Sequence, residues 1–146
     1  MDQFSSIGVD TVHLFLATPS DTVDQLPYLE SFEETSGNWQ SYGTANSWKQ
    51  GKPEGIIINQ ASDGNQVWAT NLTGNYQANE SSFLMSPVFD FSDLTNDPTI
   101  SYDIWIDTDV NDSTYLSLTY NNGATWEEYS LKVEDTMGQD SNGWSR

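Results

Sequence analysis

From Trp48 to Ser92 the chain alternates short apolar runs with glycine, proline, asparagine and aspartate. Runs of this length, bounded by turn-forming residues, predict many short strands and almost no helix. Six Trp, seven Tyr and six Phe among 146 residues provide large side chains that can fill a thin β-sandwich core. The sequence therefore predicts an all-β domain that is long enough to have its own core.

The same alternation places individual strands. Residues 99–107 are the clearest, because Ile and Tyr side chains point one way while Ser, Asp and Trp point the other. The apolar run at 55–59 predicts a buried strand. Further strands are expected at 29–33, 66–70 and 83–91, the last with Phe83, Met85, Phe89 and Phe91 on one face.

A hairpin is predicted near residue 122. Asn122 and Gly123 favour a tight turn, since both residue types tolerate positive φ. The first strand is expected to carry an inward face of Leu116, Leu118 and Tyr120, and the second to run from 126 to 133. Residues 119–126 resemble an Asp-box with asparagine in place of the aspartate, a device in which turn side chains hydrogen-bond locally and a Trp packs beneath the hairpin.

The charge of the chain excludes several kinds of partner. Twenty-two acidic residues face four basic ones, which gives a net charge of −18. Such a surface is repelled by nucleic acid and by anionic membranes, whereas it suits divalent cations. The chain has no cysteine, so it has no disulfide, thiolate nucleophile or Cys-zinc site, and this favours a bacterial source. No apolar window is long enough for membrane insertion.

The first 27 residues differ from the rest. Residues 9–16 are compatible with one strand, and 17–22 are rich in turn-forming residues. We interpret 1–27 as the end of a preceding module plus a linker, and 28–146 as one globular domain.

Several short motifs occur in a definite order along residues 28–146. They are S-F-E at 31–33, Trp39, S-W at 47–48, G-K-P at 51–53, A-S-D-G at 61–64, V-W-A-T-N-L-T-G-N-Y at 67–76, S-P-V-F-D-F-S at 86–92 and N-N-G-A-T-W at 121–126. Together they resemble the MAM-like jelly-roll domain of bacterial secreted multidomain proteins, which occurs near secreted proteases and adhesin-like repeats.

This resemblance implies an antiparallel jelly-roll β-sandwich at an extracellular or cell-surface location. It also implies a role in adhesion or in supporting a neighbouring catalytic module. Domains of this kind continue past a residue like Trp144 into further strands, so we expect this chain to lack its C-terminal closing strands. The absence of those strands would leave an open sheet edge.

The resemblance further implies a structural calcium ion near the first strand, with Glu33, Asp63 and Asn65 as its candidate ligands. Calcium takes six to eight oxygen ligands, so backbone carbonyls would have to contribute. The alternative is that Glu33 is a surface acid and Asp63 an ordinary turn residue before Gly64. The acidic run at 107–112 begins like an EF-hand loop but lacks its glycine and its final glutamate, and an acidic loop between strands is the favoured interpretation.

Aromatic side chains offer a second kind of site. Trp48 and Trp105 have polar neighbours and are candidates for a sugar platform, whereas Trp39, Trp68 and Trp126 are expected in the core. No catalytic residue is predicted: the lone His13 has no evident partner, and no nucleophile, phosphate-loop or zinc motif occurs.

The sequence thus predicts a non-catalytic extracellular module for adhesion or accessory binding. Its expected partners are neighbouring domains of the same chain and a cell-surface glycan or protein. The alternative is a carbohydrate-binding module of a polysaccharide-degrading enzyme. A glycoside hydrolase or lyase fragment is a third class, since paired carboxylates are recognised only from their geometry.

Overall fold

The computed structural model describes residues 22–109, 111–131 and 143–145. These residues form short strands joined by turns, with no helix among them, which confirms the all-β prediction. The strands are β1 (Thr22–Val23), β2 (Gln40–Thr44), β3 (Trp48–Gly51), β4 (Val67–Thr70), β5 (Ser81–Met85), β6 (Val88–Phe89), β7 (Thr114–Leu118) and β8 (Glu127–Leu131). The strand expected at 9–16 and His13 lie outside the described residues.

The described strands associate in pairs. Three pairs are antiparallel, β2 with β5, β3 with β4 and β7 with β8, whereas the short β1 and β6 are parallel. No larger sheet forms within the described part of the chain. The jelly-roll sandwich therefore stays a prediction, while the preference for antiparallel pairing is confirmed.

The core is small and centres on β4. Val67 and Ala69 lie on the same face of β4 and are buried, as is Ile106 from a distant segment. Aromatic contacts extend the packing: the Tyr28 and Phe89 rings meet edge to face at 5.1 Å, and the Phe89 and Phe91 rings stack at 5.9 Å. The prediction of a strand at 66–70 is confirmed by β4.

Residues 29–33 do not form the predicted strand. Phe32 has φ 61°, in the left-handed region that a strand residue does not adopt, and Leu29 is 92% exposed. The Phe32 ring instead packs edge to face on Trp39, at 5.7 Å. No described strand pairs with this segment, so the strand preference of its residues is not supported by neighbouring backbone.

The predicted buried strand at 55–59 is also wrong. The Gly55 N–H donates to the Ile58 carbonyl at 3.1 Å, so the segment folds back on itself, and Ile56 is 92% exposed. Its N-terminal end is fixed by the buried Pro53 and by a bond from the Glu54 N–H to the Leu72 carbonyl. A run of three isoleucines indicates burial only if neighbouring strands cover it, and none of the described strands does so.

Residues 99–107 do not form a strand either, although Ile104 makes a single antiparallel bridge to Ser145. The two backbone bonds of this bridge measure 2.8 and 2.9 Å. Ile100 is 59% exposed, whereas Ile106 is buried. Alternating residues indicate which two faces a strand would have. They do not indicate whether another strand lies beside it to form the hydrogen bonds of a sheet.

The predicted strand at 83–91 is divided in two, because Ser86 and Pro87 separate β5 from β6. Its aromatic residues divide accordingly. Phe83 stacks on Tyr42 of the paired strand at 5.6 Å, while Phe89 stacks on Phe91.

The predicted hairpin is confirmed. Strands β7 and β8 pair with Leu116 opposite Tyr129, and the turn places Asn122 and Gly123 at φ 54° and 85°. Two details of the prediction are wrong. Tyr120 is 79% exposed because it lies past the end of β7, and Trp126 is 45% exposed rather than in the core.

Candidate functional site

The structure brings Glu33 to the turn at residues 63–66. One carboxylate oxygen of Glu33 accepts the backbone N–H groups of Asn65 at 2.8 Å and Gln66 at 2.7 Å. These two bonds hold the pKa of the Glu33 carboxyl below its ordinary value. Gly64 lies directly against that carboxylate, with φ +68°, and an added Cβ would come within 2.5 Å of Glu33 Cδ.

Asp63 takes a separate part in the same turn. Its Oδ1 accepts the N–H of Gly64 at 3.0 Å. Glu33 and Asn65 are therefore in contact, with Asp63 next to them on the turn. No group of three or more Asp, Glu or His side chains within the described ranges is placed to share a metal ion. Calcium at these residues stays a prediction, and the observed chemistry is a carboxylate that closes a turn.

Local hydrogen bonds join residues of the acidic segment: the Asp112 N–H donates to the Asp109 carbonyl at 3.0 Å. The Asp109 side chain accepts the N–H of Asn111 at 3.0 Å, which holds the pKa of the Asp109 carboxyl below its ordinary value. The Tyr76 hydroxyl donates to the Asp112 carboxylate and accepts the Asp109 N–H at 3.2 Å. The bond from the Asp109 N–H favours the phenolate and lowers the pKa of Tyr76. The bond to the Asp112 carboxylate and partial burial raise it, and together they leave the pKa of Tyr76 above its ordinary value. Asp109 and Asp112 therefore attach this part of the chain to the Tyr76 hydroxyl.

The two tryptophans of the predicted sugar platform lie in different settings. Trp48 begins β3, and its indole N–H is buried without a hydrogen-bond partner in the described part of the chain. Trp105 packs edge to face on Trp144, at 5.8 Å, and lies beside Gly143. Both side chains are partly buried. The platform stays a prediction, with Trp105 engaged by Trp144.

A solvent-open cavity of about 350 Å³ lies near the turn between β2 and β3. Its lining residues are mostly polar: Ala45, Asn46, Ser47, Lys49, Asn71 and Gln77. They come from the turn, from β3, from the residue after β4 and from the loop before β5. We call this cavity the β3 pocket. Its walls carry amide and ammonium groups and almost no apolar side chain.

Glu80 holds two walls of the β3 pocket together. Its carboxylate accepts the Ser47 N–H at 2.9 Å and the Ser47 hydroxyl at 2.5 Å. It also accepts the Gln77 N–H at 2.9 Å and the Ser82 hydroxyl at 2.5 Å. Partial burial raises the pKa of Glu80, but the hydrogen bonds from Ser47, Ser82 and Gln77 outweigh it and leave that pKa lowered. Glu80 is therefore an ionised carboxylate that holds the Ser47 and Gln77 parts of the pocket together.

Two amide side chains shape the rim of the pocket. Asn46 Oδ1 accepts the Trp48 N–H at 3.1 Å, and Asn46 Nδ2 donates to the Ser41 hydroxyl at 3.0 Å. Asn71 Nδ2 donates to the Asn75 carbonyl at 2.7 Å. Each Nδ2 carries two N–H groups, so each retains one that forms no bond to a described residue.

Sequence reasoning did not find the β3 pocket. Its lining residues are spread from 45 to 77 and share no spacing or motif. The one signal available was Lys49, which lies among few basic residues in a chain of net charge −18.

Comparisons with known proteins give one partial similarity. No family model and no solved structure matches the chain. Among curated proteins, Bacillopeptidase F of Bacillus subtilis is 40% identical to it over 60 residues. The matched stretch is 41% of this chain and 4% of Bacillopeptidase F, so the chain resembles a small part of that protein. Separately, no helix capable of crossing a bilayer occurs among the described residues.

Proposed function

We propose that this chain is a non-catalytic accessory module of a larger secreted bacterial protein, with a MAM-like jelly roll as its fold. The observation that carries the proposal is the similarity to Bacillopeptidase F, a peptidase by name, over 4% of its length. A match of that extent fits a module shared between large proteins. The all-β structure agrees with such a module, and the absence of cysteine agrees with a bacterial source.

The acidic side chains support a non-catalytic role. A general acid in glycoside cleavage needs a carboxyl with a raised pKa, kept protonated near neutral pH. Backbone N–H groups instead lower the pKa of Glu33, Asp90 and Asp109. The lowered pKa of Glu80 has the same consequence. These carboxylates act as hydrogen-bond acceptors that fix turns and loops.

The module's proposed task is adhesion to a cell-surface glycan or protein, together with support of neighbouring domains. Its net charge of −18 keeps it soluble and disfavours non-specific binding to nucleic acid or anionic membranes. Selective attachment must then come from a shaped polar site rather than from charge. A calcium ion at Glu33, Asp63 and Asn65 remains part of this proposal.

Adhesion is tested by mixing the fluorescently labelled chain with intact bacteria and with insoluble polysaccharide, followed by sedimentation. The folded chain is expected in the pellet, and the same chain denatured in urea and diluted into an excess of carrier protein serves as control. A folded chain that stays in the supernatant with every surface contradicts adhesion.

Catalytic inertness and location are tested separately. We expect the purified chain to leave fluorescent casein and nitrophenyl glycosides intact. Cleavage of either substrate that is lost when one glutamate of the chain is replaced by glutamine would contradict the non-catalytic assignment. When a culture is separated into medium and cell fractions, antibodies against the chain should detect the parent protein in the medium or at the cell surface. Detection only in the cytosol would rule out secretion.

A further inference from the structure

We propose that the β3 pocket binds a neutral, hydroxyl-rich saccharide. The inference deepens the proposed adhesion function by naming a ligand class, and it rests on that function. The pocket joins residues that no motif connects, since Asn46, Lys49, Asn71 and Gln77 line one cavity of about 350 Å³. A cavity of this size accommodates one or two sugar rings.

The pocket carries polar groups that the protein itself leaves available. Lys52 lies 3.8 Å from Glu54, whereas the Lys49 ammonium has no carboxylate of a described residue at ion-pair distance. The Gln77 side-chain amide likewise makes no hydrogen bond to a described residue, although the backbone of Gln77 is fixed by Glu80. With the second N–H groups of Asn46 and Asn71, the pocket offers many donors and at least one amide oxygen as acceptor.

This supply of donors indicates a ligand with closely spaced oxygen atoms. A sugar hydroxyl both donates and accepts, so it can bond to the ammonium or to either end of a glutamine amide. A wholly hydrophobic peptide side chain or a lipid is disfavoured, because such a ligand would leave the amides unpaired. Ala45 is the single apolar residue of the lining.

The charges around the pocket favour a neutral sugar over an anionic one. The Glu80 carboxylate holds the Ser47 and Gln77 walls, so an anion in the pocket would lie close to a negative charge. The net charge of −18 adds long-range repulsion. A neutral ligand avoids both effects and still bonds to Lys49.

The backbone of the pocket is held in an unusual conformation. Ala45 has φ 52°, in the left-handed region, which costs energy for alanine, whereas Asn71 has φ 60°, which asparagine adopts more readily. Such strain persists where the surroundings fix the backbone, and it concentrates at ligand sites. Here the Asn71 N–H is bonded to the Ser47 carbonyl at 3.0 Å, and Glu80 holds Ser47 in turn. A rim fixed before binding loses less entropy when a sugar arrives.

The inference differs from a tryptophan platform. Trp48 and Lys49 are successive residues of β3, so their side chains point to opposite faces of the strand. The pocket lies on the Lys49 face. Recognition there depends on hydrogen bonds, and the Trp48 ring is not part of it.

The test uses the full 146-residue chain in isothermal titration calorimetry. The probes are the neutral hexasaccharides of glucose, xylose, mannose and N-acetylglucosamine, with hexagalacturonate as an anionic comparison. We expect at least one neutral probe to bind with a Kd between about 1 µM and about 1 mM. Lys49→Ala and Gln77→Ala should each weaken that binding about tenfold, equivalent to about 1.4 kcal/mol. Lys52→Ala is the matched control and should leave the Kd unchanged, since Lys52 is paired with Glu54 and is not among the pocket residues.

Three results would overturn the inference. They are no binding of any neutral probe, a Kd of the Lys49→Ala and Gln77→Ala variants that equals that of the unsubstituted chain, and tighter binding of hexagalacturonate than of every neutral probe. Both substituted residues are exposed, and thermal melting of each variant verifies that it folds. A chain that adheres to cells but binds no saccharide disproves this inference alone, whereas saccharide binding without adhesion disproves the proposed function.

Discussion

Ser47 and Glu80 are joined by two hydrogen bonds, one from the Ser47 N–H at 2.9 Å and one from its hydroxyl at 2.5 Å. The two residues are 33 positions apart, and Ser47 is among the few buried polar residues. Their contact fixes the start of β3 against the loop before β5. It is therefore a long-range polar contact in a fold whose apolar core is small.

Glu80→Gln should destabilise the fold. The amide keeps the shape but is neutral and offers one carbonyl oxygen, so donors from Ser47, Gln77 and Ser82 lose a charged acceptor. Hydrogen bonds to charged groups contribute about 1.5–3 kcal/mol when shielded, and partial exposure reduces this to about 1 kcal/mol. Urea unfolding measures the change. Glu54→Gln, which removes only an exposed contact to Lys52, is the control, and equal midpoints for the two variants would disprove the role of Glu80.

Acid should destabilise the chain through Glu33. The pKa of Glu33 is lower in the folded state than its ordinary value of 4.5. The stability that this carboxyl contributes is therefore complete above its unfolded pKa, and it is lost as the pH falls through the folded pKa. We expect Glu33→Gln to lower the free energy of unfolding at about pH 7 and to match the wild type at about pH 2. Urea unfolding across this range measures both values.

Glu34→Gln controls for the loss of one negative charge, because Glu34 is exposed and forms no hydrogen bond to a described residue. The effect of Glu33→Gln beyond that of Glu34→Gln is the part that comes from the Asn65 and Gln66 N–H bonds. A Glu33→Gln difference that persists at the acidic end would contradict the linkage.

The sequence was informative where a feature depends on neighbouring residues. Asn122-Gly123 specified a turn because its positive φ values are local, and β4 followed from a short apolar run next to a Gly-containing turn. The contact of Glu33 with Asn65 and Gln66 followed from no local pattern, since the family resemblance alone placed Glu33 with Asp63 and Asn65, and calcium there stays a prediction. Local sequence was therefore sufficient for the turn at Asn122-Gly123 and for β4.

The sequence was misleading where a feature depends on distant backbone. Residues 55–59 and 99–107 have strand-like patterns, but neither segment pairs with one of the described strands, and Ile56 and Ile100 are exposed. The β3 pocket was missed for the same reason, because Ser47 and Gln77 are distant in sequence and are joined through Glu80. Periodicity encodes the two faces of a strand but carries no information about which strand lies beside it.

Gly64→Ala should destabilise the turn next to Glu33. The new Cβ would lie 2.5 Å from Glu33 Cδ, and φ +68° is unfavourable for alanine. We expect a loss of about 1–2 kcal/mol or more, measured by urea unfolding. Gly74→Ala is the matched control, because its Cβ would meet no atom closer than 3.5 Å. Equal stability of the two variants would show that Glu33 and Gly64 are not in contact.

Calcium should raise the melting temperature if Glu33, Asp63 and Asn65 bind it. A ligand that binds only the folded state stabilises it in proportion to RT ln(1 + [L]/Kd). Melting in calcium is compared with melting in chelator, and the shift should vanish in Asp63→Asn. Asp90→Asn, which alters a carboxylate bonded to Ser92, should retain the shift. An unchanged midpoint in the native chain would refute calcium binding at this corner.

Thr119→Val should loosen the hairpin of β7 and β8. The Thr119 hydroxyl accepts the Gly123 N–H at 2.9 Å and donates to Asn121 Oδ1 at 3.1 Å, so valine keeps the shape but removes both bonds. Because the turn is largely exposed, we expect a loss of about 1 kcal/mol and faster hydrogen exchange at the Gly123 amide. Ser117→Ala, on the exposed face of β7, should change neither quantity. Unaltered exchange in Thr119→Val would show that backbone preference alone maintains the turn, with Asn122 and Gly123 sufficient for its geometry.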